Sequence, residues 1–221
     1  MALGTPENLP AEAQLALAHT PPILRDPLRI FLELDQRLGR IVAATSEPML
    51  GQMRLAWWRD MLGKPVEDRP RGDSVLDGIG DHWLGREAGL VKLVDGWEHL
   101  LDEPPLSENA ASRFLSARQE ALMTVFGQKT GSDRASVPYD NAAWRWAASD
   151  LAAKVSLEEE RDLLVTLGLA NENPNSSLPR KARGLAVLGA LGSRALKRGG
   201  RPLMEGRTAS LVATRAAIFG R

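Results

Sequence analysis

The 3.6-residue apolar period of the α-helix recurs from one end of this 221-residue chain to the other, and no stretch of four to eight residues alternates apolar and polar side chains with β-branched enrichment. A chain patterned in this way offers no half-buried strand to pair, so the sequence predicts an all-α fold. Hydrophobic residues make up 43% of it, enough for one sizeable core and short of a clear second, so residues 1–221 read as a single domain. No self-similarity at a fixed period points to a solenoid.

Prolines, glycines and capping residues punctuate the pattern. A short helix is predicted over residues 10–18. Asp26 and Pro27 read as an N-cap and first-turn proline for the next, which carries Ile30, Leu34, Leu38, Ile41 and Val42 on one stripe to about Thr45. Pro48 opens a third helix in which Met49, Met53, Trp57 and Met61 recur every four residues, a spacing that puts them on one face, read as the core face. Residues 63–72 form an exposed loop, a weak helix follows, and a stronger one runs from Glu87 to Leu101 until Pro104 and Pro105 end it. Ser107 caps a helix through Phe114, Ala117, Ala121 and Val125 toward Gly127. After a loop at 127–138, Asp140 is expected to cap a helix bearing Trp144, Ala147, Ala148 and Leu151, and Ser156 with Glu159 has capping-box spacing. Residues 171–177 are a polar break before two final helices, at about 179–198 and 205–219.

The absence of cysteine removes disulfides, thiolate metal sites and a cysteine nucleophile, and it fits a reducing, cytoplasmic setting. The N-terminus lacks the basic start and apolar stretch of a secretory signal, and the longest near-apolar run, Gly184 to Gly192, is too short to span a bilayer. The expected protein is soluble, or at most peripheral to the inner membrane.

Formal net charge is zero, yet residues 178–221 hold ten basic side chains and one acid, which leaves this segment near +9 and the remainder near −9. The basic helices, with Arg180, Lys181, Arg183, Arg194, Lys197 and Arg198, either face water or meet an anionic partner. Nucleic acid is disfavoured, because such modules interleave cations with stacking rings and Phe219 is the sole aromatic here. Lipid headgroups or a diphosphate would ask only for charge.

His19, His82 and His99 have no zinc-pair spacing, and no nucleophile elbow, P-loop or dinucleotide fingerprint is present. The carboxylate pairs one helical turn apart, Asp73 with Asp77 and Glu158 with Asp162, read as a Gly-rich loop and a solvated helix start. The densest signal is SEPMLGQMRLAWWRDML, where Trp57 falls in the apolar stripe, Arg54 and Trp58 lie one turn apart with stacking within reach, and Arg59 and Asp60 continue outward. Two readings stay open for it: one Trp filling core and the other covering it, or a face for a lipid-like chain or a partner protein.

The stretch RIFLELDQRLGRIVAATSEPMLGQMRLAWWRDML resembles the squalene/phytoene synthase family, in which a helix leads to a proline-opened helix ending in a Trp-rich, Arg-bearing turn. LVDGWEHLLDEPPLS with RFLSARQEALMTVFG, and SLPRKARGLAVLGALGSRALKRG, are similar to its middle and closing helices, so the likeness covers most of the chain and is most specific around Gln52 to Asp60. The resemblance implies an isoprenoid-synthase-like helical bundle. Active members hold magnesium against a prenyl diphosphate with two Asp-rich motifs. Where the first should fall, this chain has Gly39, Arg40, Ile41, Val42 and Ala43; near the second it has Asp150, then Lys154 and Glu158. Without paired acids magnesium cannot bridge the diphosphate. The chain is therefore more similar to the branch that looks non-catalytic, which includes the mitochondrial assembly factor for respiratory complex I.

That likeness implies a binding protein with no cofactor and no catalytic residues, taking an isoprenoid or lipid-like ligand, or a protein partner in membrane-complex assembly. Its ligand-binding candidates are Arg37, Arg40, Gln52, Arg54, Trp57, Trp58 and Arg59. One alternative is an active head-to-head prenyltransferase in which Arg37, Arg40 and Arg54 stand in for magnesium, or which binds magnesium after all. The other is a plain helical interaction module, its cavity filled by side chains such as Trp144 and Trp146. A central apolar-walled pocket separates the first two readings from the third.

Overall fold

The computed structural model describes residues 8–45, 47–131, 134–170 and 177–221. The predicted break at 171–177 lies, apart from Ser177, outside the described residues, as do residues 132 and 133 of the predicted loop. Among the described residues there are ten α-helices and no strand: α1 (Ala11–Ala18), α2 (Pro22–Ala43), α3 (Pro48–Gly63), α4 (Ser74–His82), α5 (Glu87–Glu98), α6 (Glu108–Val125), α7 (Val137–Ala152), α8 (Glu158–Leu169), α9 (Arg183–Lys197) and α10 (Ala209–Phe219). The all-α expectation holds. No helix of the described residues is long and apolar enough to cross a membrane.

The long helix α2 is the spine of the bundle and packs on α1, α3, α4, α5 and α6. Its fully buried Leu28, Ile30, Phe31, Leu34 and Leu38 supply the contacts. The other organising helix is α9, which lies on α7 and carries α1 and α10. Close approach there depends on glycine: a methyl at Gly189 would stand 2.7 Å from the Cβ of Ala142, and one at Gly192 would stand 2.8 Å from the Arg145 carbonyl oxygen.

Several helix starts differ from expectation. Pro22 opens α2, so Asp26 and Pro27 lie within it; Pro27 lacks the N–H that would bond to Ile23, a loss confined to the first two turns. The Pro27 carbonyl instead accepts the buried Trp83 indole N–H at 3.0 Å, and Asp26 pairs with Arg29 at 3.4 Å. Helix α7 begins at Val137 with Pro138 in its first turn, and Asp140 does not cap it. Its carboxylate accepts from Ser136 Oγ and Gln119 Nε2, both at 2.9 Å, which ties the start of α7 to α6. The Ser156–Glu159 box does not form either; Leu157 holds the N-cap position of α8, and Glu158, Glu159 and Glu160 face the positive end of the helix. Ser107 does cap α6, accepting from the Ala110 N–H at 3.2 Å. Asp73, read as a loop residue, caps α4 by accepting the Val75 and Leu76 N–H groups at 3.0 Å.

The largest departure is in α3. Its buried face is Gly51, Leu55, Trp58, Met61 and Leu62, whereas Met49 is 72%, Met53 64% and Trp57 37% exposed. The helix carries two apolar stripes, and close approach to the end of α5 selects between them: a methyl at Gly51 would meet Leu101 Cδ2 at 2.6 Å. The stripe containing the small residue turns inward and takes Met61 with it, while Met49, Met53 and Trp57 face out.

Candidate functional site

Helices α1, α2, α6 and α7, with the ends of α5 and α8, enclose a cavity of about 780 Å3. Its apolar wall includes Leu9, Leu32, Val42, Leu106, Leu151 and Val155. Trp146 lines it without closing it, and Trp144 turns away to donate its indole N–H to the Leu167 carbonyl at 2.8 Å. The pair expected to fill the space under the interaction-module reading therefore leaves it open.

One charged constellation lies in the wall. Asp35 occupies the buried stripe of α2, Arg118 the buried stripe of α6 and Asp150 that of α7, so three charges that are distant in sequence meet where the three helices face one another. Arg118 Nε donates to Asp35 Oδ1 at 3.0 Å, and its Nη2 donates to Asp35 Oδ2 and, at 2.6 Å, to Asp150 Oδ2. Nη1 donates to the Ala147 carbonyl at 3.3 Å. The guanidinium is 1% exposed and stacks 4.0 Å from the Trp146 ring centre, with Phe114 at 5.5 Å and Trp97 at 5.8 Å. Trp97 Nε1 completes the Asp35 shell at 2.9 Å. On the solvent side, Lys154 Nζ donates to Asp150 Oδ2 at 2.8 Å, so two carboxylates are balanced by two cations.

The titration behaviour follows from that balance. Burial alone would lower the Arg118 pKa, but the charges of Asp35 and Asp150 together raise it, so it stays a cation. Burial would raise the Asp150 pKa, yet Arg118 and Lys154 overcome this and hold it down at about 2. Glu12, in the α1 wall, moves the other way: burial is the largest influence and the charge of Asp150 adds to it, raising the carboxyl above its ordinary value. A buried, fully hydrogen-bonded ion cluster of this kind contributes little net stability. Its consequence is a polar wall whose charges are already satisfied.

Of the seven ligand-binding candidates, Arg40 lines the cavity. The others are elsewhere. Arg37 pairs with the α4 cap, Asp73, at 2.5 Å and lies over the Trp58 ring at 5.5 Å, taking the stacking position expected of Arg54. Trp58 is core, Trp57 packs edge-on against it at 5.1 Å, and Gln52 and Arg54 are exposed on α3. Arg59 bridges α3 to α5 through Asp95 and Glu98, each at 2.6 Å. None of the three histidines lines the cavity, and Glu158 does not, whereas Gly39, Val42 and Ala43 do. Of the basic candidates, Arg194, Lys197 and Arg198 share a second cleft; Arg180, Lys181 and Arg183 do not line it.

Sequence reasoning did not single out Asp35 or Arg118. The available signal was a charge inside an apolar stripe: Asp35 follows Phe31 by one turn, and Arg118 follows Phe114 by one turn. Asp35 precedes Gly39, where the family resemblance sought its first acids, by the same interval. As a magnesium site the residues fit poorly, because Asp35 and Asp150 are both spent on Arg118, and among the described residues no three His, Cys, Asp or Glu side chains are placed to hold a metal together. No family model, curated protein or solved structure matches the chain.

Proposed function

We propose that this chain is a binding protein of the squalene/phytoene synthase type, similar to the family's non-catalytic branch, whose cavity takes an isoprenoid or other lipid-like chain without turning it over. The observation that carries the reading is the pairing of an apolar-walled cavity of about 780 Å3 with carboxylates that Arg118 and Lys154 already neutralise. A volume of that size suits a small-molecule ligand. Its acids are Glu12, Asp35, Asp102, Asp150 and Glu160 against Arg40, Arg118 and Lys154, a negative balance that disfavours a bare diphosphate and favours an uncharged prenyl chain.

Titration with geranylgeraniol and with its diphosphate, without magnesium, tests this. Trp97 and Trp146 line the cavity and report occupancy by fluorescence. The alcohol should quench or shift the emission and raise Tm, and the diphosphate should do so less. No response to either would discard the ligand reading.

The exposed Met49, Met53 and Trp57 favour a second reading, a helical interaction module whose α3 face meets a protein partner, as an assembly-factor-like role would require. That reading predicts that charges placed at Met49 and Met53 abolish partner capture and leave the prenyl response intact.

A further inference from the structure

A second cleft, of about 460 Å3, lies where α7, α9 and α10 meet, and it shares no lining residue with the central cavity. Among the described residues its charged side chains all have one sign: Arg145 comes from α7, Arg194 and Lys197 from α9, Arg198 from the residue after it, Arg215 from α10 and Arg221 from beyond α10, with no Asp or Glu. A nearby acid is Glu205, whose carboxylate lies 3.3 Å from Arg198.

Part of this positive wall is fixed in place. Arg194 donates from Nε and Nη2 to Thr208 Oγ1 at 3.2 and 2.9 Å and from Nη2 to the Glu205 carbonyl at 2.9 Å, and Arg198 Nη1 donates to the same carbonyl at 2.9 Å. These bonds orient the Arg194 guanidinium without neutralising it. A group of guanidinium and ammonium side chains with no described carboxylate in the lining is the arrangement an anionic phosphate complements.

The chemistry beside the cleft decides what carries that phosphate. Helix α10 buries Ala209, Ala213 and Ala216 against its neighbours and lends Val212 and Arg215 to the cleft. Beside the exposed Ser210, Thr214 and Arg215 it presents large apolar side chains: Leu211, Ile218 and Phe219 are each between 59% and 69% exposed. A soluble phosphate gains nothing from them. Basic groups flanked by protruding aliphatic and aromatic side chains match the boundary between lipid headgroups and acyl chains.

We propose that the α7–α9–α10 face docks on an anionic phospholipid surface, with headgroup phosphates in the basic cleft and Leu211, Ile218 and Phe219 in the interfacial layer. The proposal does not depend on the ligand of the central cavity.

Co-sedimentation of the full chain with vesicles of phosphatidylcholine alone, and of phosphatidylcholine mixed with phosphatidylglycerol, is the test. Binding is expected to the mixed vesicles alone and should weaken as salt is raised. Lys197→Ala and Arg215→Ala, both at exposed positions, should each weaken it about fivefold. The pair Leu211→Ser with Ile218→Ser should weaken it at least as much while leaving the salt dependence in place, and an unchanged Tm would establish that each variant is folded. Equal binding to both vesicle types, no binding, or wild-type binding by the folded variants would overturn the proposal. So would a rise in Tm with inorganic phosphate in a protein that ignores vesicles, which would make the cleft a soluble-phosphate site.

Discussion

The central cavity and the α7–α9–α10 cleft treat charge in opposite ways. In the cavity wall, Arg118 is buried and each of its cationic contacts is answered by Asp35, Asp150 or the Ala147 carbonyl, with Lys154 closing the balance at the surface. In the cleft, Arg194 and Arg215 are held near solvent with no lining carboxylate among the described residues. Desolvation explains the difference: a guanidinium taken fully out of water must bring its counter-ions along, whereas one at the surface can keep water and await an external anion. Charge in the first region organises the fold around a space; charge in the second is presented outward.

Breaking the buried set should have the largest effect. Arg118→Met leaves the buried Asp35 carboxylate without its counter-ion and Asp150 with Lys154 alone, and urea denaturation should register a loss of about 3–5 kcal/mol or a chain that does not fold. Adding Asp35→Asn and Asp150→Asn to that variant should recover much of the loss, because removing both signs together is close to neutral. Acid gives the same answer without mutation. The Asp150 pKa is lowered from 3.8 to about 2 in the folded chain, so its contribution is present in full above pH 3.8 and disappears as the pH falls toward 2. Urea midpoints across that window should drop by an amount equivalent to about 2 kcal/mol, and Asp150→Asn should flatten that part of the profile.

Smaller effects sharpen the contrast. Val155→Trp puts a ring into the cavity from a half-buried position; it should abolish the prenyl response while changing stability by no more than about 1–3 kcal/mol. Arg215→Ala, in the outward region, should leave stability within about 0.5 kcal/mol of wild type by the same denaturation assay, even as vesicle binding falls.

Periodicity was enough to read the helices, and Ser107 and the paired prolines at 104 and 105 marked boundaries that the chain keeps. It failed where two answers share one period. Both stripes of α3 are apolar, and the methionine spacing could not reveal that Gly51 must approach Leu101. It failed again where the site depends on distant partners: Arg118 meets Asp35 across 83 residues and Asp150 across 32, and no local pattern encodes those encounters. A charged residue in the middle of a core stripe was the legible trace. Arg40 and Arg37 were singled out alike, as cations near the stretch where the resemblance placed the first acids; in the fold Arg40, next to Gly39, lines the cavity, whereas Arg37, three residues away, points to α4. The Trp-rich segment drew attention through composition, and in the fold its rings lie outside the cavity lining.

The most direct measurement is diphosphate release from geranylgeranyl diphosphate by the purified chain with magnesium and NADPH present. If Asp35 and Asp150 are committed to Arg118, release stays at the uncatalysed background. Magnesium-dependent release by the wild-type chain would contradict the account, since it would require a magnesium site other than Asp35 and Asp150, which Arg118 and Lys154 already neutralise.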